Sequence, residues 1–156
     1  MRLASIKRLS VALVFAVISS VASGDLVAPK DIYVVDGDTI DVHGQRIRLI
    51  DFDAPELGGH AHCGLERMLA ARATSRLRQM IQLSTDIDLQ IVDCSCRPGT
   101  EGTRACNYGR ACGYLTVDGQ DVGDVLIAEN LAHSYVCGRY SCPKRKPWCP
   151  FELLGG

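Results

Sequence analysis

Apolar and polar positions alternate along the first part of the chain and then change to a helical period. Ile32-Tyr33-Val34-Val35 is a short run with strand character that ends at Asp36-Gly37, and Asp-Gly between apolar runs is a strong hairpin signal. Thr39-Ile40-Asp41-Val42 alternates again and is followed by a second tight turn at His43-Gly44. Arg46 to Phe52 is the third strand, with Ile47, Leu49 and Asp51 on one face and Arg46, Arg48, Ile50 and Phe52 on the other. This places the charged Arg48 beside apolar neighbours, where it needs a partner. Pro55 stops the strand, and Leu57 to His62 is a glycine-containing loop.

From about Gly64 to Leu83 the period becomes three to four: Leu65, Met68, Leu69, Arg72, Leu77, Met80 and Ile81 recur, with Arg67, Arg76, Arg78 and Gln79 facing out. Asp86 to Val92 is a strand through Ile87, Leu89 and Ile91. Cys94 to Asn107 is a loop, Arg110 to Val117 a further strand turned by Asp118-Gly119, and Val122 to Asn130 a second helix. Beyond Gly138 the chain is rich in Cys, Pro and Lys and reads as irregular. The expected fold is mainly β with α: a five-stranded OB-fold barrel, with a helix inserted after the third strand and another after the fifth. The 156 residues suffice for one such domain.

The N-terminus changes that picture by subtraction. Arg2, Lys7 and Arg8 precede an apolar run from Leu9 to Val17 and then small residues up to Gly24, the layout of a signal peptide over residues 1–23. The alternative is a retained anchor, against which the run is shorter than the roughly 18 residues that span a bilayer. Cleavage removes three basic and no acidic residues, leaving 14 basic against 18 acidic, a formal charge of −4. Diffuse electrostatic attachment to a polyanion is thereby excluded as the main mode of binding. A protein with this balance that handles nucleic acid needs a few placed cations and a metal.

All eight cysteines (Cys63, Cys94, Cys96, Cys106, Cys112, Cys137, Cys142 and Cys149) follow the export signal, which favours disulfides in a secreted or periplasmic protein. Zinc held by Cys94, Cys96, Cys106 and Cys112 is the competing reading, although none of the spacings is a C-x₂-C knuckle. Connectivity stays open, since eight cysteines allow about 105 pairings.

Four acidic residues, Asp36, Asp38, Asp53 and Glu56, stand at strand ends. Adjacent strands of a meander bring Asp38 and Asp53 together across 15 residues of sequence, and converging carboxylates favour a hard cation such as calcium. The plainer reading makes Asp36 and Asp38 turn residues. Arg48 and Arg110 suit the equatorial oxygens of a phosphodiester under attack, and Glu56 suits a proton acceptor for water.

Val35-Asp36-Gly37-Asp38-Thr39-Ile40, Arg48-Leu49-Ile50-Asp51-Phe52-Asp53-Ala54-Pro55-Glu56 and Tyr108-Gly109-Arg110 resemble the staphylococcal nuclease (thermonuclease) family in motif, order and spacing. Tyr114 to Gly119, continuing through Val122 and Leu126 to Asn130-Leu131-Ala132, is similar to that family's last strand and following helix. The resemblance spans roughly residues 31 to 135 and implies residues 24–137 as the nuclease domain, with 138–156 a cysteine-rich tail. It implies Asp38, Asp53 and the main-chain carbonyl of Ala54 as calcium ligands, and Glu56 as general base or water-orienting group. Arg48 and Arg110 become phosphate clamps, with Tyr108 and Thr39 as substrate contacts. The implied activity is calcium-assisted hydrolysis of DNA, RNA or both, single strands favoured, by a monomer with no stable membrane association once its signal is cleaved.

The departures are specific. Ala54 stands where many members have Thr, and His60 and His62 where relatives are often lysine-rich. Those histidines read as loop residues first, and as substrate contacts or transition-metal ligands second. Cys94 to Asn107 is a longer insertion, and the family's final helix is shortened or absent. Lys144-Arg145-Lys146 with Trp148 is either a solvated tail or a basic-aromatic contact for single strands. Two rival functions remain: an OB module that only binds a polymer or a protein, and a zinc hydrolase using the histidines.

Overall fold

The computed structural model describes residues 25–150, so the signal-peptide reading of residues 1–23 lies outside the described residues. Nine short strands and two helices follow one another: β1 (Asp25–Leu26), β2 (Ile32–Val34), β3 (Thr39–Val42), β4 (Gln45–Leu49), β5 (Asp51–Asp53), α1 (Gly64–Leu83), β6 (Ile87–Val92), β7 (Ala111–Val117), β8 (Gln120–Asp121), α2 (Val122–Ala128) and β9 (His133–Tyr135). The main sheet runs β1-β6-β7-β4-β3-β2, with β8 added to β7, and curls as a half-barrel. The expected meander is β2-β3-β4. In its second turn His43 and Gly44 have φ of 53° and 85°, the left-handed pair that a two-residue hairpin requires.

Parallel pairing of β4 with β7 then joins the meander to the second half, where β6 and β7 pair antiparallel from Ile87↔Val117 to Val92↔Cys112. Ile40, Ile47, Leu49 and Leu115 point from these strands into one core, which α1 closes with Ala73, Leu77 and Ile81 and α2 with Val122 and Leu126. Each large aliphatic side chain buried there contributes about 1.5–3 kcal/mol. Gly37 lies where the first turn meets α1: a Cβ on it would fall 2.6 Å from the Ala54 Cβ and 2.9 Å from the Ala73 Cβ. Glycine is therefore what lets the turn holding Asp38 seat against the core.

Three expectations change. The third strand is not continuous to Phe52, because Asp51 takes a left-handed φ of 70° and ends the alternation. Phe52 is thereby turned into the core, at 2% exposure, with its ring 6.0 Å from the Arg48 guanidinium. The segment after the break pairs with β9 as a separate two-stranded sheet. On α1 the buried stripe runs through Ala70, Ala73, Thr74, Leu77, Met80 and Ile81, while Leu65 and Met68 are exposed. Small alanines, which carry little weight in a hydrophobic count, form the close contact instead. Ile91 is likewise exposed near the end of β6.

The fold is mainly β with two helices, α1 after the meander and its β5 extension and α2 after β7 and β8. The strands number nine rather than five because β1, β5, β8 and β9, of two or three residues each, are too short to show a period. Among the described residues no helix follows α2, and none is long and apolar enough to cross a membrane.

All eight cysteines are paired: Cys63–Cys149, Cys94–Cys112, Cys96–Cys106 and Cys137–Cys142. The zinc reading of Cys94, Cys96, Cys106 and Cys112 is thereby removed, since no thiolate is left to bind. Four disulfides point to an oxidising environment, extracellular or periplasmic. In chain-entropy terms Cys63–Cys149, which closes 86 residues, is worth the most, about 4–5 kcal/mol.

Candidate active site

The turn between β2 and β3, the end of β4, β5 and the loop before β7 meet at one cleft of about 1160 Å³. Asp36, Asp38, Arg48, Asp53, Glu56, Tyr108 and Arg110 all line it.

The two readings of the Asp36–Asp38 turn divide between the residues. Asp36 is the turn residue: its Oδ1 accepts the Asp38 N–H at 3.1 Å. Asp38 is buried and aimed inward, its Oδ2 accepting the Ala54 N–H at 2.8 Å and meeting Arg48 Nη1 at 3.0 Å. Thr39 Oγ1 donates to Asp38 Oδ1 at 3.2 Å. Burial first, with Asp36 and Asp53 adding to it, pushes Asp38 up to about 7 against the pull of Arg48 and the Ala54 N–H.

Asp53 is 2% exposed. Its Oδ1 faces Arg48 Nη2 at 3.5 Å, while its Oδ2 is buried with no hydrogen-bond partner. The two buried carboxylates have Arg48, and Asp53 also Arg145, as counter-charge, but Asp53 Oδ2 keeps a lone-pair face that no donor meets, which is where a hard cation could bind. Among the described residues no group of three or more His, Cys, Asp or Glu side chains forms a metal cage. The oxygens that could hold a cation there are fewer: the carboxylates of Asp38 and Asp53 and the Ala54 carbonyl.

Arg48 is committed inward. Besides both carboxylates, its guanidinium donates to the Phe52 carbonyl at 2.9 Å and to the Asp38 carbonyl at 3.2 Å. The break at Asp51 has a use here, because it places the Phe52 carbonyl where Arg48 reaches it. Arg110 enters from the loop before β7, held by the Asn107 carbonyl at 3.0 Å and Asn107 Oδ1 at 2.7 Å, and it donates to Thr39 Oγ1 at 3.2 Å. Thr39 thus links Asp38 to Arg110 within the protein. Burial first, and then the charge of Arg48, lowers the pKa of Arg110. Asn107, Tyr108 and Gly109 all have left-handed φ, so the loop before β7 is sharply wound, and Tyr108 stands exposed beneath the Arg110 guanidinium at 5.6 Å.

Two side chains join the site without a motif to announce them. Glu66, buried at the start of α1, accepts the backbone N–H of Glu56 at 3.3 Å and of His62 at 2.7 Å, and contacts His62 Nδ1 at 3.1 Å. Burial raises its pKa, but those N–H groups and the imidazole outweigh burial and leave it lowered. It fixes the loop that presents Glu56, and His62 serves that loop. At the helix start the Cys63 Sγ accepts the Glu66 N–H. The second is Arg145, from the tail, which pairs with Asp53 Oδ1 at 2.5 Å and with Glu56 Oε1. The basic tail is not simply solvated: Arg145 enters the cleft, and Trp148 stacks on His133 with centroids 3.8 Å apart.

The structure therefore brings Asp38, Thr39, Arg48, Asp53, Ala54, Glu56 and Arg110 together, with Tyr108 at the rim and His60 on the cleft lining. No known family model matches the chain, and no curated protein matches it either.

Proposed function

We propose that the protein is an exported, calcium-dependent nuclease of the staphylococcal nuclease type, on an OB-type barrel, hydrolysing phosphodiester bonds of DNA, RNA or both. The observation that carries this reading is the shared guanidinium of Arg48, 3.0 Å from Asp38 and 3.5 Å from Asp53, in one cleft with Arg110. A module that only binds has no use for two buried carboxylates held against each other beside two arginines.

In this reading Asp38, Asp53 and the Ala54 carbonyl hold calcium, which supplies positive charge for the transition state and orients water. Glu56, on a loop fixed by Glu66, accepts the proton of the attacking water at its carboxylate. Arg110 is held on one edge by Asn107 and offers the rest of its fork to phosphate oxygens. Arg48 is held between Asp38 and Asp53, and its guanidinium would add positive charge beside a phosphate bound there. Attack on phosphorus expels the 5′ oxygen and leaves a 3′-phosphate. Tyr108 offers an exposed ring at the rim for an unstacked base or sugar, which favours single strands.

Glu56→Gln tests the assignment of the base. We expect a loss of about 10²–10⁴ in turnover on single-stranded DNA with an unchanged far-UV spectrum. Wild-type turnover in this variant would remove Glu56 from the chemistry.

A further inference from the structure

The tail from Val136 to Cys149 has no regular element, yet it is fastened at both ends. Cys137–Cys142 closes a small loop, inside which the Gly138 N–H donates to the Ser141 carbonyl at 2.8 Å. At the far end Cys149 is bonded to Cys63 at the start of α1, next to Trp148 stacked on His133 of β9. Between these anchors Lys144 and Lys146 are exposed, and Arg145 lines the cleft. One nitrogen, Nη2, lies 2.5 Å from Asp53 Oδ1 and 3.4 Å from the Ala54 carbonyl oxygen, while Nη1 pairs with Glu56 Oε1.

Those oxygens belong to the proposed calcium seat and the proposed base. We propose that Arg145 is an intramolecular competitor for the divalent cation: a tethered guanidinium that fills the calcium seat and engages Glu56 until calcium displaces it. The inference rests on the nuclease reading for the identity of the seat. Its physical basis is the exclusive character of the contact. A guanidinium is a permanent cation with donors only, so where it stands against Asp53 Oδ1 and Ala54 O it occupies the space a metal would need there, and its charge repels one. In return it gives the buried Asp53 carboxylate a counter-charge when no calcium is present. The disulfide at Cys149 keeps the competitor at hand, so its effective concentration does not fall on dilution. The site is consequently quiet at low calcium and opens above a threshold that the tail sets.

The test is calcium titration by calorimetry of the oxidised mature protein, wild type against Arg145→Gln and Arg145→Lys, with melting temperatures in EGTA and in calcium. Arg145→Gln is expected to bind calcium about tenfold or more tightly, the factor for a latch closed about nine-tenths of the time. Arg145→Lys, with a compact charge that does not bridge the three oxygens, falls between. In EGTA Arg145→Gln melts below wild type, and calcium raises its melting temperature more. Equal or weaker binding by both variants overturns the competition and leaves the calcium seat standing. No calcium binding by any of the three proteins overturns the seat itself. Should Arg145→Gln fold only with calcium, the internal counter-charge is supported. Should it fold under neither condition, Arg145→Lys decides alone, tighter binding than wild type supporting the competitor and equal or weaker binding overturning it.

Discussion

The carboxylate wall of the cleft hangs on hydrogen-bonded backbone, whereas the wall built from the loop before β7 and the tail is tied by covalent bonds as well. Asp38 is fixed by its own turn, by the Leu49 N–H on its carbonyl at 2.9 Å and by Ala54 N–H on its side chain, all within the β2–β5 region. Arg110 and Tyr108 come from a left-handed loop bracketed by Cys94–Cys112 and Cys96–Cys106, and Arg145 from a tail bracketed by Cys137–Cys142 and Cys63–Cys149. Charges that must be buried together are built on strands and the tight turns that join them, where the geometry is over-determined. Cations that must meet a mobile polymer are carried on irregular segments, which ladder hydrogen bonds cannot hold and disulfides can.

Cutting the covalent support of one wall is the most forceful way to break this comparison. Cys96→Ser with Cys106→Ser removes a bridge closing 10 residues, for a loss of about 2–3 kcal/mol in the chain-entropy account. It loosens Asn107, the residue that grips Arg110. Turnover on single-stranded DNA should fall by about tenfold or more, an order typical of one misplaced catalytic group. Calcium affinity, which belongs to the carboxylate wall, should stay within about twofold, about 0.4 kcal/mol and less than the ~1 kcal/mol of one lost hydrogen bond. An equal loss of both would mean that the two walls are one unit.

A smaller effect separates the walls by pH. Asp38, near 7 when folded against a usual value of 3.8, takes up a proton more readily folded than unfolded. Its contribution to stability is therefore full below its unfolded value and lost as pH rises through about 7. In EGTA, wild type should gain on the order of 1 kcal/mol relative to Asp38→Asn as pH falls from about 8 to about 6, measured by urea unfolding. Calcium, which needs the ionised carboxylate, should reverse the trend. A parallel pH dependence of the two proteins would show that Asp38 is not held in this way.

Legibility in the sequence follows the same division. The β2-β3-β4 meander, α1 and the gathering of Asp38, Arg48, Asp53 and Glu56 were readable because each strand alternates and each turn carries its Asp-Gly or His-Gly. The break at Asp51 was not, since nothing local requires an Asp to leave the β region; its side chain is fixed from afar by the Tyr114 hydroxyl at 2.6 Å. Nor was Arg145, which lies between two lysines in a run of three cations. Which of the three reaches Asp53 is decided by where Cys149 is tied, and that pairing is not written in spacing. Glu66 was hidden because a glutamate in the first turn of a helix ordinarily only favours the helix dipole.

The most direct test of the central claim is digestion of single-stranded DNA by the oxidised mature protein, in calcium and in excess EGTA. The account predicts cleavage to 3′-phosphate ends in calcium and none in EGTA. Intact polymer in calcium, or equal cleavage in both, would contradict it.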